Sequence, residues 1–368
     1  MRNLHLLLGA WLLLGALAGN VAHAGNIIVG ANTVGAQYMS EQQQDAFVEQ
    51  LRQNGVKVVR TGIGGKFNHF VAGAWRAGIG AVVIVSPFEA SKARWHQAGN
   101  AANAPWAAPN LTDTDPEKFK VWLAAELASL EAQGVSLTAF ELGNEINGAG
   151  NNGDILFPAP AAAARVLGLA DLNNPNDTDG RAVAASYRAY LRVMAVLKDV
   201  RDHSKLNRRA PIISAGLIDG GPPGKRPGAK TNGIALPDTI EFMRQNGIDA
   251  LVDGYGVHFY PSVPDPNTPV DQRINGLKER ALAICTRAKP CWLTEWGFSN
   301  PNRSCPIQDE ARLKLFRTER EAFKTFINQG RLAAAILYDW QSWPGFEPLS
   351  VFRCGALTEA GKLALSPM

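Results

Sequence analysis

The sequence has little charge imbalance: 37 lysines and arginines against 33 aspartates and glutamates leave +4 over 368 residues. With no lysine or arginine stripe either, nothing calls for a nucleic-acid partner. Histidines are few, and those beyond the N-terminal segment, His69, His96, His203 and His258, have no spacing that suggests a metal site. The chain contains no G-x-S-x-G, P-loop or H-E-x-x-H pattern, which sets aside the chemistries those patterns carry and leaves no cofactor to expect. Long apolar runs are absent after the N-terminus. The one run there, Leu6 to Ala18 behind Arg2, is shorter than the ~20 residues that a membrane helix needs. It ends in Val21-Ala22-His23-Ala24, an Ala-x-Ala cleavage signature, so residues 1–24 read as a removed secretory signal and the protein as secreted or periplasmic. Gly25 rather than a cysteine follows, which argues against a lipid anchor. The remaining 344 residues carry +3, and the 46% hydrophobic, 19% charged composition can bury a sizeable core in one large domain or two medium ones.

Runs that read as strands cover residues 26–33, 56–64, 79–86, 137–146, 211–217, 251–260, 291–298 and 333–340. Helical patterns lie between them at 40–53, 67–77, 116–133, 181–203, 237–245, 270–286 and 309–329, with a weaker last helix at 358–365. Strands that alternate with helices pair in parallel through right-handed crossovers. Eight such units predict a single (β/α)8 barrel of the TIM type over residues 25–368, a fold whose usual size is ~250 residues with room for insertions.

Loop lengths agree with that architecture. Glycine follows five of the helices, at 55, 78, 134, 247 and 330, and leads tightly into the next strand. Loops leaving strands are long: 87–115, 147–180 and the Gly/Pro-rich 218–236. In a barrel these gather on one face, which holds the active site. The four cysteines suit an oxidising compartment. Cys285 and Cys291 precede and open the seventh strand at the bottom of the barrel, whereas Cys305 and Cys354 follow the seventh and eighth strands at the top. A strand separates the two ends by roughly 20 Å at ~3.3 Å per residue, beyond the ~7 Å that a disulfide spans between Cα atoms. The predicted pairs are Cys285–Cys291 and Cys305–Cys354, and the split argues against a shared metal.

Two carboxylates end barrel strands. The fourth strand reads Phe140-Glu141-Leu142-Gly143-Asn144-Glu145 and the seventh Trp292-Leu293-Thr294-Glu295-Trp296. Strands four and seven stand on opposed sides of an eight-strand barrel, so Glu145 and Glu295 face each other across its mouth, the disposition that cleavage of a glycosidic bond requires. Arg60, ending the second strand, would either fix the ionised carboxylate or pair with Glu141 lower in the barrel. His258 and Tyr260 share one face of strand six, being two residues apart.

With these residues the chain resembles the clan A glycoside hydrolases, the retaining (β/α)8 enzymes that include family 5 cellulases and family 39. Asn144-Glu145, Glu295, Val257-His258-Phe259-Tyr260-Pro261, Arg60 and Trp340 carry the likeness, which runs through the whole mature chain in element order. The resemblance implies Glu145 as acid/base, Glu295 as nucleophile, Asn144 on the hydroxyl beside the anomeric carbon, and Tyr260 hydrogen-bonded to the nucleophile. The chain departs from family 5 after strand three, where Val85-Ser86-Pro87-Phe88-Glu89 has no histidine and His69 or His96 would have to stand in. A family 39-like enzyme, or another small clan A family acting on bacterial exopolysaccharide or β-glucan, fits as well.

Trp340 is expected to form the floor under the sugar at the cleavage point, since an aromatic ring suits a sugar's apolar face. Trp296, Trp343, Trp95 and Trp106 also lie in or beside strand-leaving loops, while Trp75 and Trp122 lie on helices. A groove so bounded suggests endo action on a polysaccharide or oligosaccharide by a retaining endo-β-glycosidase that acts without an obligate partner, as a monomer. The alternative is a barrel that binds carbohydrate without turnover.

Overall fold

The computed structural model describes residues 27–89, 108–156, 158, 163–225, 229, 231–261, 270–341 and 347–368. The expected signal segment and Trp95, His96, Trp106 and Trp343 lie outside the described residues. Eight parallel strands make the wall: β1 (Ile28–Asn32), β2 (Val58–Gly62), β3 (Gly80–Val85), β4 (Ala139–Leu142), β5 (Ile212–Ile213), β6 (Tyr255–Phe259), β7 (Cys291–Trp296) and β8 (Leu332–Leu337). Their hydrogen-bonded order is 5-4-3-2-1-8-7-6. Isolated parallel bridges, Ile213 to Gly254 and Leu217 to Val257, bring β5 and β6 together and nearly close the barrel. The strands are shorter than the apolar pattern suggests.

Helices α1 (Glu41–Gln53), α2 (Phe67–Arg76), α3 (Pro116–Ala132), α4 (Thr178–Asp202), α5 (Leu236–Gln245), α6 (Val270–Ala283), α7 (Glu310–Asn328) and α8 (Glu359–Leu365) follow the strands in turn. Local chemistry sets their ends. Ser40 accepts from the backbone of Gln43, whose side chain accepts in return from the Ser40 N–H, and Asp115 caps α3 just before Pro116. The glycines at 55, 78, 134, 247 and 330 all adopt φ between 70° and 94°, the left-handed turn that ends a helix.

The main core lies between strands and helices, while Val82, Ala139, Ile213, Trp292, Ala334 and Ile336 plug the barrel interior. The loops after β4 and β5 are joined to each other: Arg165–Leu167 pairs antiparallel with Gly224–Lys225 and parallel with Gly233–Ile234. The Gly/Pro-rich stretch is therefore part of a small sheet rather than a free excursion. Both predicted disulfides form, with Cα separations of 5.2 Å for Cys285–Cys291 and 5.9 Å for Cys305–Cys354. Among the described residues no helix is long and apolar enough to cross a membrane.

The helix layer holds one costly charge. Glu319 of α7 is fully buried, neither of its carboxylate oxygens has a hydrogen-bond partner, and Lys278 of α6 stands 3.8 Å away. Burial, opposed by Lys278, pushes its pKa up to about 7 from 4.5. Because the folded value lies above the unfolded one, the protonated form favours folding, and stability falls as pH rises from the unfolded value through the folded one. The full penalty is on the order of 3 kcal/mol. Glu319→Gln is expected to raise the melting temperature at about pH 8 and to change it little at about pH 5; an equal effect at both would show that the charge is not what costs stability.

Candidate active site

Four strand ends converge at the top of the barrel. Arg60 of β2, 2% exposed, is the hub. Its Nε and Nη2 donate to the two oxygens of Glu141 at 2.5 and 3.0 Å, and Nη1 donates to Glu295 Oε1 at 2.7 Å and Asn32 Oδ1 at 2.8 Å. Nη2 also reaches Asn144 Oδ1 at 2.8 Å. Both readings of Arg60 therefore hold: it pairs with Glu141 below and places a fixed charge beside Glu295. Burial works against that charge, and Glu141 and Glu295 more than reverse the effect, so the guanidinium stays ionised.

Glu145 stands beyond the end of β4. The ladder stops at Leu142, Gly143 turns with φ 78°, and Glu145 itself has φ 46°, a left-handed conformation that costs a residue with a Cβ about 1–2 kcal/mol. Its N–H donates to the Gly216 carbonyl at 2.8 Å, which ties the turn to the segment after β5. Backbone strain of this kind persists where its surroundings dictate it, often at functional sites. The carboxylate meets His258 Nδ1 at 2.7 Å through Oε1, and Asn151 Nδ2 lies 3.4 Å from Oε2.

His258 of β6 is 2% exposed and also lies 3.5 Å from Glu295 Oε2. Burial alone would lower its pKa, but the charge of Glu295 and the hydrogen bond to Glu145 outweigh it and hold the pKa above the ordinary imidazole value. The ring packs directly on Gly216, where a Cβ would stand 2.1 Å from Nε2. Only glycine lets the imidazole reach this position. Tyr260 donates its hydroxyl to Glu295 Oε2 at 2.6 Å. Burial, then the charge of Glu295, pushes the phenol well above its usual pKa, so it remains a donor.

Glu295 reaches the lumen by a backbone irregularity. Strict alternation from Trp292, which plugs the barrel interior, would turn Glu295 outward. The register of β7 on β6 slips between Leu293 and Glu295, so that Glu295 pairs with the inward His258. Thr294 is thus the extra residue of a bulge. The bulge also corrects the expectation for Trp296, which turns outward and is fully buried, with ring centroids 5.0 Å from Phe316 and 5.3 Å from Phe323 of α7.

Trp340 is likewise displaced from its expected place. It has no exposed surface, stacks on Phe352 at 5.1 Å and donates Nε1–H to Gln50 of α1 at 3.0 Å. A ring without an exposed face offers none to a sugar. Tyr338 stands at the site instead, half-buried, with its ring centroid 6.0 Å from that of Tyr260; burial first, then Glu295, raises its pKa. The missed signal was the inward row: two residues beyond Ile336 is Tyr338. Of the remaining histidines, His69 pairs with Asp45 on the surface at 2.8 Å, and His203 ends α4.

One ligand atom each of Glu145, His258 and Glu295 lie within 4.8 Å of one another. They are the one such set among the described residues close enough to hold a metal ion, but Arg60 and Tyr260 already donate to the Glu295 oxygens that an ion would need. The site is better suited to proton transfer: one carboxylate has donors on both oxygens, and the other is partly exposed beside an ionisable ring.

No protein family matches the chain by sequence, and no curated protein does. Among solved structures the chain is similar to the virulence factor SghA from Agrobacterium tumefaciens, with a TM-score of 0.52 and 12% identity over 92% of this chain and 96% of that one. It is also similar to the family 1 β-glucosidase from Thermotoga maritima, with a TM-score of 0.52 and 12% identity over 92% and 96%. The endo-1,4-β-D-mannanase from Thermotoga petrophila gives a TM-score of 0.50 and 13% identity over 92% and 98%. At such identity the likeness is one of fold, and the fold in common is the (β/α)8 barrel.

Proposed function

We propose that the protein is a retaining β-glycosidase, exported by its N-terminal signal, that hydrolyses O-glycosidic bonds within a polysaccharide by double displacement. The observation that carries this reading is the closeness of the two carboxylates. Their ligand oxygens lie within 4.8 Å, near the ~5–5.5 Å of retaining enzymes and short of the ~6.5–9.5 Å that leaves room for an inverting water. Glu295, with Arg60 on Oε1 and Tyr260 on Oε2, attacks the anomeric carbon. Glu145 gives its proton to the leaving oxygen, then accepts one from the water that releases the sugar. His258 orients Glu145 through Nδ1 and stands 3.5 Å from Glu295. The fold likeness to a β-glucosidase and an endo-1,4-β-D-mannanase supports a β-linked substrate, and the long strand-leaving loops, two of them joined in one sheet, support a groove for a polymer.

The test is to follow hydrolysis of β-mannan, β-glucan, xylan and a bacterial exopolysaccharide by proton NMR. The β-anomer is expected to appear first. First appearance of the α-anomer would replace retention by inversion, and binding without any release of reducing ends would favour a carbohydrate-binding barrel without turnover.

A further inference from the structure

We propose that Tyr38 and the pocket behind the Gly64–Gly65 turn form a second glycan-binding site, on the β1–β2 rim, that holds a neutral polysaccharide away from the point of cleavage. The proposal rests on the glycosidase reading for its substrate class and on separate residues for its geometry. Tyr38 lies in the short turn Ala36–Tyr38 after β1 and is 65% exposed, yet it is not loose. One edge of its ring runs along the next loop: a Cβ on Gly64 would stand 3.1 Å from the hydroxyl oxygen, and one on Gly65 2.9 Å from Cδ1. These glycines have φ 139° and 53°, so the turn excludes side chains by conformation as well as by space.

The two loops are pinned backbone to backbone. The Lys66 N–H donates to the Gln37 carbonyl at 2.7 Å, and the Tyr38 N–H to Gly35 at 2.9 Å. Buried Gln44 holds the Ala36 carbonyl at 2.9 Å. A ring fixed along one edge and open to water is a preorganised platform for the apolar face of a sugar, and little freedom is lost when it binds.

The same glycines line a pocket of about 370 Å³ together with Asn68, Glu89, Trp122 and Glu126, within the size range of ligand sites. Trp122 supplies an apolar wall. Asn68 donates to Glu126 at 3.1 Å, and the two carboxylates are acceptors for sugar hydroxyls. Among the described residues of the rim, Lys66 is paired with Glu41 at 3.1 Å and His69 meets Asp45 at 2.8 Å, so the carboxylates Glu89 and Glu126 disfavour uronates and sulfated sugars and suit a neutral chain. Gly64 is four residues from Arg60 and therefore at most about 14 Å away along the backbone. A chain of several sugars is long enough to span that distance and occupy both places.

The experiment compares soluble β-1,4-glucomannan with para-nitrophenyl β-cellobioside. Tyr38→Ala, an exposed substitution, is expected to raise KM on glucomannan about tenfold and to leave kcat/KM on the short substrate unchanged. In glucomannan-containing native gels Glu295→Gln should be retarded, and Glu295→Gln/Tyr38→Ala should lose most of that retardation. Equal behaviour of the Tyr38 variants and their parents, or retardation of neither, overturns the second site. If the wild type is retarded through Tyr38 but cleaves nothing, the second site stands and the glycosidase reading falls. If the polymer is cleaved equally well with and without Tyr38, the glycosidase reading stands and the second site falls.

Discussion

Glu295→Gln should lower turnover at least about 10⁴-fold, the scale of loss when a nucleophile is removed, while leaving the melting temperature near that of the wild type. An amide oxygen cannot take on the covalent bond to the anomeric carbon, but it can still accept from Arg60 or Tyr260, which lie 2.7 and 2.6 Å from the present carboxylate. Arg60 also keeps both of its contacts to Glu141. The fold is thus insulated from the chemistry. Glu145→Gln should differ in kind: a loss of about 10²–10⁴-fold on natural substrates, and much less on an aryl glycoside whose leaving group needs no proton. Added azide should rescue Glu145→Ala by attacking the glycosyl intermediate without a base, giving the β-glycosyl azide. Glu295→Gln activity above ~1% of wild type would contradict its role as nucleophile, since a hundredfold is only ~2.7 kcal/mol of barrier.

Arg60→Met should be the most destabilising substitution at the site. Glu141 is fully buried, and its charge is held by Arg60 on both oxygens and by the Gly216 N–H at 2.9 Å. Removing the cation leaves a buried carboxylate without its partner, which costs about 3–5 kcal/mol, or a fall in melting temperature of roughly 5–15 °C for a chain of this size. Activity should fall as well, because Glu295 loses the donor on Oε1. Adding Glu141→Gln should return most of the stability, since the amide carbonyl still accepts from Gly216 and carries no charge, but it should not return activity. Calorimetry and a reducing-end assay on the same samples separate the two effects. If Arg60→Met melted within ~1 °C of the wild type, the buried ion pair would not be what holds the barrel mouth together.

Much of this molecule follows from local rules. Period-2 and helical patterns alternate eight times, and glycine stands where five helices must turn, so the barrel follows from elements that each obey backbone sterics alone. Once the strands are numbered, fixed distances within a barrel dictate that Cys285 reaches Cys291 and Cys305 reaches Cys354, and that Arg60, Glu145, Tyr260 and Glu295 all lie at one end of it.

What the sequence alone did not decide are features that depend on a neighbouring strand or helix. A single extra residue at Thr294 turns Glu295 inward and Trp296 outward, and no composition reveals one unpaired residue in a ladder. A tryptophan suits a helix layer as well as a sugar, so its own chemistry could not tell that Trp340 would stack on Phe352 and leave Tyr338 beside Tyr260. His258, unremarkable as a lone histidine in a strand, lies between both carboxylates because Gly216, on the adjoining segment after β5, has no side chain. The sequence by itself determined the barrel, its disulfides and the convergence of its charged strand ends; tertiary packing decided which aromatic rings face the site, because that choice is made by the partner surface each ring meets.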